Sequence, residues 1–397
     1  MIAEIIFCVL LGCLLGAFAG AIPGVHTNTL ALLAVSFAAG GGLPVVLMVV
    51  SMSVVNSFVS FVPSIALGAP SEDCFISILP GHRFLLKGMG LYAIRLTVLG
   101  GLFAAIASVV MLPLFAMFVV KFISIIYALV PAIIICVIAL MVLDERGTEQ
   151  KKWAAIVIAL SSALGLAALR GGFGMNAIFP LVTGFFGTSG LIYSINQREE
   201  VGEQELGACE YPKREVLSGG ALSLVAGAIV SLLPSIGPDQ AAFILRKIIG
   251  KITSVQYLVI IGGVSTANAI FGFFVLYLTG KARTGTAVAV EQIITLTQRD
   301  LLFIIATVLF SAGVAVFATE ICAKFFLARL GKIPYRAMNL GVLAFLVLLV
   351  ALLGGGTGLL LLSASTGIGL VTLSSGIKRT TGMAFLMAPT LAFYLGL

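Results

Sequence analysis

Residues 16–35 read GAFAGAIPGVHTNTLALLAV: an apolar run, then Pro23-Gly24, then His26, Thr27, Asn28 and Thr29 before the apolar residues resume. Proline removes a backbone donor and glycine admits dihedrals closed to other residues, so the pair ends the preceding helix. A Thr or Asn just behind the break caps a new helix. The free amides at its start attract negative charge. The chemistry on offer is recognition of an anion rather than bond making. A later stretch, LLPSIGPDQAA, repeats the arrangement with Pro234, Ser235, Gly237, Pro238 and Asp239, the last standing where Asn28 stands in the first copy. One such break is also what an ordinary water-exposed turn looks like. Two, each before a run too short to cross a bilayer, argue for paired half-helices aimed at a ligand.

Further residues join them. In FVPSIALGAPSEDCFISILPGHRFLLKG (residues 61–88), Pro63, Gly68, Pro70, Pro80 and Gly81 fragment the chain. Ser71 follows the first break as an N-cap with Glu72 and Asp73 in an acidic first turn, and His82, Arg83 and Lys87 follow the second. The later LYLTGKARTGTAVAVEQI places Lys281, Arg283, Thr284 and Thr286 after Gly280, with Glu291 further on. Ionisable residues among membrane segments are costly and are functional by default, although Arg83 and Lys87 also suit snorkelling to headgroups. Lys281 and Arg283 are the stronger anion ligands, since both follow a glycine between two apolar stretches. Asn56 and Asn268 sit in otherwise apolar helices. They serve either as interhelical glue or as ligands. With Glu72, Asp73, Asp239 and Glu291 they form the set from which a coupling Na⁺ or H⁺ site would be drawn. His26 is one of only two histidines; it suits either a proton-linked role, the type having an unperturbed pKa near neutral, or plain polar lining.

The elements that position these residues follow from composition. Only 10% of the 397 residues are charged and 60% are hydrophobic, against about 25% charged in soluble proteins. Such a chain cannot cover a water-facing surface, and an all-α polytopic membrane protein is the class it fits. Ile2–Ile22 carries Glu4 instead of a basic start and no cleavage signature, so it reads as a first membrane helix rather than a leader. Six scattered cysteines and two histidines support neither a metal site nor metalloenzyme chemistry, and no cofactor or catalytic residue is expected. GGFG at 171–174 and GGGTG at 354–358 lack the Lys-Ser/Thr of a phosphate loop and read as packing or break sites.

The one hydrophilic stretch, residues 198–215, holds six Glu against two Arg and one Lys, net −3, so the rest of the chain carries +10 of the total +7. It falls at the middle, between similar halves. Gly16 and Pro23 match Gly227 and Pro234, and Asn56 matches Asn268. Gly68 matches Gly280, and Thr97-Val98-Leu99 matches Thr307-Val308-Leu309. Gly174-Met175 matches Gly382-Met383, and Pro180 and Gly187 match Pro389 and Gly396, at offsets of 208 to 212. The division is a first transmembrane repeat at 1–197, an acidic linker at 198–212 and a second repeat at 213–397. Run lengths give about ten spanning helices, five per half, with shorter re-entrant pieces between. An odd number per half makes the repeats inverted, the plan of many secondary transporters.

The residues resemble a family, the large membrane subunit of the tripartite tricarboxylate transporters. The likeness lies in Gly12, Gly16 and Gly20 ahead of Pro23-Gly24, in Gly81–Gly88, which track that family's DGYPLARKG, and in Pro234–Gly237, similar to its LPGIG. Here NSFVSFVPSIALG replaces the family's Gly-Gly-Ser-containing run, and Pro80 stands where it has Asp; both changes bear on substrate specificity. The resemblance implies a cation-driven importer working with a small membrane subunit and an extracytoplasmic binding protein in the cytoplasmic membrane. IPGVHTNTLA is equally similar to the IPGVSGGT element of polyprenyl-phosphate translocases, which implies the alternative of flipping a lipid-linked phosphate.

The expectation is a secondary transporter for an organic carboxylate, bound between the Pro23–Asn28 and Pro234–Asp239 breaks with Lys281 and Arg283 supplying charge. Alternating access would come from rocking one repeat against the other. Membrane lipid, the anionic solute or lipid phosphate, the two accessory subunits and a second copy of the chain are the partner candidates; nucleic acid is not.

Overall fold

The computed structural model describes residues 2–22, 31, 42–67, 78–171, 177–195, 202–233, 237–250, 252–330 and 335–396, and among these no strand occurs. The first part comprises α1 (Ile2–Ala21), α2 (Gly42–Val59), α3 (Phe61–Leu67), α4 (Ile78–Leu86), α5 (Gly90–Leu143) and α6 (Thr148–Arg170). Then α7 (Ile178–Val182), a π-helical turn (Thr183–Thr188) and α8 (Ser189–Ile195) follow without a break. Beyond residues 202–212 come α9 (Lys213–Leu232), α10 (Pro238–Ile249), α11 (Ser254–Thr279), α12 (Gly285–Ile293), α13 (Gln298–Leu330) and α14 (Tyr335–Ser374). A 3₁₀ turn (Arg379–Met383) leads into α15 (Ala384–Tyr394).

Eight helices among the described residues are long and apolar enough to cross a membrane, not ten. The physical reason is the joints. Between Val119 and Phe122 the sequence offers only Val120-Lys121, with no stop signal, so the two expected spans run together as α5; Pro113 and Pro131 both stay inside it. At 54 residues α5 is about 81 Å long, more than twice a hydrocarbon core of about 30 Å. In the second half the two expected spans also fall in one helix, α14, which kinks at the glycine triplet rather than ending there: Gly355 takes φ 57°, ψ −151°, a conformation that glycine alone adopts freely. Pro80 and Gly81, expected to fragment the chain, instead lie in the first turn of α4, where a proline breaks no intrahelical bond. Gly81 is needed there because a Cβ would come 2.8 Å from Ile65 Cγ1.

Two spans form the centre. In residues 42–66, which cover α2 and most of α3, 83% of the most apolar 18-residue stretch is buried, and in α11 89%, against 22–44% in the other six spans. The outer helices turn Leu14, Phe18, Val110, Met117, Phe317 and Leu352 outward, a surface suited to lipid rather than water. Glycines set the inner spacing. A Cβ at Gly12 or Gly16 of α1 would lie 2.3 Å or 2.4 Å from the carbonyl oxygens of Met48 and Met52 in α2. Likewise a Cβ at Gly227 of α9 would lie 2.4 Å from Ala267 Cβ in α11. A close seam joins α5 to α11, where Cβ atoms at Gly100 and Gly262 would meet Val259 O at 2.0 Å and Thr97 O at 2.1 Å. Small residues that let backbones approach are the main source of helix association in lipid, where the hydrophobic effect is absent.

Polar bonds add to this at the helix ends. Arg95 of α5 binds Glu320 of α13 through two parallel bonds, Nε to Oε2 at 3.0 Å and Nη2 to Oε1 at 2.5 Å, and Lys324 joins at 3.0 Å. Residues 202–212 are strapped across the same corner. Gln204 accepts from Gly90 N at 3.0 Å and donates to Leu85 O at 2.9 Å, Arg95 donates to Gly207 O at 2.6 Å, and Tyr211 stacks on Tyr92. The Gly100 seam predicts that Gly100→Val lowers stability by about 3 kcal/mol, because the obstructing atoms are backbone. Gly313→Ala, with nothing within 4 Å of the added Cβ, should raise it by about 0.5 kcal/mol. Thermal unfolding of the detergent-solubilised protein measures both.

Candidate functional site

The site is built where α11 ends and α12 begins. Gly280 adopts a left-handed backbone (φ 62°, ψ 17°), and its N–H still reaches Leu276 O at 2.8 Å, so the chain leaves the helix within one residue. Thr284 then caps α12, its Oγ1 accepting from Ala287 N at 3.2 Å and lying 3.3 Å from Thr286 Oγ1. Lys281 and Arg283 are thus held directly ahead of a helix start, where the unpaired amides add positive potential.

Arg283 is clasped by two aromatic residues from distant parts of the chain. Its Nη1 donates to Tyr394 Oη at 3.0 Å, from the last turn of α15, and its Cζ lies 4.3 Å from the ring centre of Tyr127 in α5. Lys281 Nζ approaches the same ring at 5.9 Å. A guanidinium carries five N–H donors, and Arg283 Nε is buried with no hydrogen-bond partner among the described residues. Burial by itself would lower the pKa of this group; the two tyrosines more than offset that, and Arg283 keeps its charge. A cation with unused donors at a helix start is equipped to take a carboxylate.

The cap reaches toward the central helices. Thr284 lies beside Gly272 of α11, where a Cβ would be 3.5 Å from Thr284 Cγ2. Asn268 is four residues before Gly272 and so shares its helix face. On α2, the buried Asn56 has an Oδ1 with no hydrogen-bond partner among the described residues. Its neighbour Ser57 contacts Thr266 of α11, Oγ to Oγ1, at 3.3 Å. The structure therefore places Asn56 and Asn268 on its two most enclosed spans, on either side of a direct hydroxyl contact. An orphaned amide oxygen there is an acceptor suited to a cation or a polar ligand.

Of the other residues singled out in the sequence, Pro23, Gly24, His26, Thr27, Asn28, Ser71, Glu72, Asp73, Pro234 and Ser235 lie outside the described residues. Gly237 accepts from Ala241 N at 3.2 Å, and Pro238 opens the 12-residue α10, the first helical position where proline is preferred. Asp239 is the second residue of that helix, and its side chain is outside the described set. Glu291 is exposed near the end of α12, two turns from Thr284. Sequence reasoning missed Tyr127 and Tyr394; a lone tyrosine inside an apolar run is the signal that marks each.

The sequence model of the Tripartite tricarboxylate transporter TctA family matches residues 6–383, nearly the whole chain. The chain belongs to this family. TctA proteins are transporters rather than enzymes, and they form the large membrane subunit of a tripartite system. Membership accords with a multi-pass membrane protein and does not favour the lipid-translocase alternative. An uncharacterized protein of Methanocaldococcus jannaschii is 25% identical over 393 residues, 97% of this chain and 98% of its own length. No solved structure matches.

Loss of the cap tests the local architecture. Thr284→Ala should destabilise the protein by about 1 kcal/mol while Thr284→Ser stays close to wild type, read as the shift in thermal unfolding midpoint. Equal midpoints for Ala and Ser would show that the cap is not structural.

Proposed function

We propose that this chain moves an organic carboxylate across the cytoplasmic membrane by alternating access, driven by Na⁺ or H⁺, as the large membrane partner of a small membrane subunit and an extracytoplasmic binding protein. The observation that carries this reading is Arg283: a charged guanidinium with an unused buried donor, held by Tyr127 and Tyr394 at the start of α12. In this reading the carboxylate bonds Arg283 and the α12 amides, with Lys281 drawing it in. The breaks at Pro23–Asn28 and Pro234–Asp239, with Ser71 and Ser235, complete the anion path. Asn56 and Asn268 are the first choice for the coupling cation, ahead of Glu72, Asp73, Asp239 and Glu291, because they stand on the two enclosed spans.

The two-repeat plan belongs to the proposal. It is supported by reciprocal packing: α1 lies on α2 as α9 lies on α11, and α2 packs on α13 while α11 packs on α5. Exchange of partners between halves is what a two-fold relation generates. Inversion of the repeats has a direct test. Single cysteines replacing Lys87 before α5 and Thr297 before α13, in a background free of the native cysteines, should label from opposite sides of sealed vesicles. Labelling from one side would make the repeats parallel.

Transport is tested in proteoliposomes with the accessory subunits present. Radiolabelled citrate should accumulate under an inward Na⁺ or proton gradient. Arg283→Gln should lower uptake by about ten-fold or more, from loss of a charge-assisted bond, with Arg283→Lys between the two. Uptake by Arg283→Gln equal to wild type would remove Arg283 from the site. Wild-type vesicles that accumulate no di- or tricarboxylate under either gradient would sink the carboxylate reading.

A further inference from the structure

A second cation stands at the opposite end of α15. Arg283 meets Tyr394 at the C-terminal end of that helix, and Arg379 opens the 3₁₀ turn before its N-terminal end. The 11 residues of α15 separate the two by about 16 Å.

The surroundings of Arg379 are built rather than incidental. The residue before it is anchored to the α5–α6 turn. Lys378 N donates to Glu145 Oε1 at 2.9 Å, its Nζ donates to Asp144 O at 2.8 Å, and the same ammonium pairs with the Asp144 carboxylate. Thr381 closes the turn, its Oγ1 donating to Lys378 O at 2.7 Å. Arg379 is thereby pressed onto α8, where a Cβ at Gly190 would lie 2.3 Å from Nη2, 3.3 Å from Cζ and 3.5 Å from Nη1. A side chain at that point would displace the guanidinium from where it lies. Three residues on, a Cβ at Gly382 would lie 3.4 Å from the rings of Phe185 and Phe186, and Phe385 stacks on Phe185.

Lys378 is fully engaged, whereas Arg379 has neither hydrogen bond nor ion pair among the described residues. The adjacent Thr380 is 3% exposed, and its Oγ1 also lacks a partner among them. A half-buried guanidinium with no protein partner among the described residues has donors open to an anion. Desolvation pulls the Arg379 pKa down to about 10; the side chain keeps partial exposure and stays charged at neutral pH.

The geometry points to Arg379, seated on Gly190, as a second oxyanion-binding site that receives a carboxylate of the transported solute at the far end of α15 from Arg283. This rests on the carboxylate reading above and adds to it: the anion has two cationic stations, one at each end of a short helix. Neither Arg379 nor Gly190 stood out in the sequence, since an Arg after a Lys near a helix end is what a membrane-surface residue looks like.

The test is citrate-dependent thermal stabilisation of the purified chain in detergent and in nanodiscs of phosphatidylcholine with or without phosphatidylglycerol. Citrate should raise the unfolding midpoint of wild type and, by less, of Arg283→Gln. Arg379→Gln and Gly190→Val should need about ten-fold more citrate or more for the same rise, with Arg379→Lys between. Arg379→Lys and Arg283→Gln keep the comparison valid if Arg379→Gln does not fold. An Arg379→Gln or Arg379→Lys titration that overlays wild type overturns the site and leaves the transport reading standing. Wild-type citrate binding that needs Arg379, without uptake into proteoliposomes, sinks the transport reading and leaves the site standing. Stabilisation by phosphatidylglycerol but not citrate, lost in Arg379→Gln, assigns the group to a lipid headgroup and overturns the solute assignment. Glu199 and Glu200 lie outside the described residues. If their joint replacement by Gln lowers the ligand-free midpoint as much as Arg379→Gln does, and the three changes together lower it no further, Arg379 has an internal partner and the proposal fails.

Discussion

The structure depends on backbone approaching backbone at glycine. At Gly100 and Gly262 the helices α5 and α11 meet so closely that a single methyl on either would strike a carbonyl of the other. Lipid supplies no hydrophobic drive for helices to associate, so dispersion contacts at this range hold the bundle. The seam also decides what can be inside. With α5 against α11, and α1 and α9 laid on α2 and α11 through their own glycines, the two central spans are almost wholly enclosed. Polar groups can then stand on them without facing acyl chains.

That enclosure gives meaning to the few polar residues. Asn56, Ser57, Thr266 and Asn268 would be expensive on a lipid-facing helix; on α2 and α11 Ser57 meets Thr266, Asn268 shares the face of Gly272 beside Thr284, and Asn56 is buried. The charged residues divide by the same logic. Arg95 with Glu320, and Lys378 with Asp144, are paired and tie helix ends together. Arg283 and Arg379 bracket α15 with donors to spare. In a chain with only 23 lysines and arginines, cations with unused donors are the residues on which the proposed anion binding rests.

Much of this was legible in local sequence signals. Pro238 opens a helix where the sequence places a break, because helix starts depend on a few neighbouring residues; Gly280 as a left-handed stop and Thr284 as a cap follow the same local rules and came from the structure. The glycine triplet at 354–356 kinks α14 without ending it. Span counting failed between 119 and 122, where the apolar pattern pauses at Lys121 but nothing stops a helix. A hydropathy dip alone does not end hydrogen bonding along the backbone. The site partners were not legible either. Tyr127 and Tyr394 reach Arg283 from α5 and α15, and only tertiary packing brings them together. Glu291, prominent as a charge in a short apolar helix, turned out exposed.

The central claim is that a carboxylate occupies the Arg283 corner at the start of α12. An experimental structure of the chain with its accessory subunits, in saturating citrate and Na⁺, tests it most directly. The account predicts ligand density in contact with Arg283 and the Thr284 end of α12, between Tyr127 and Tyr394. Citrate density elsewhere, with the Arg283 guanidinium filled only by protein side chains, would contradict it.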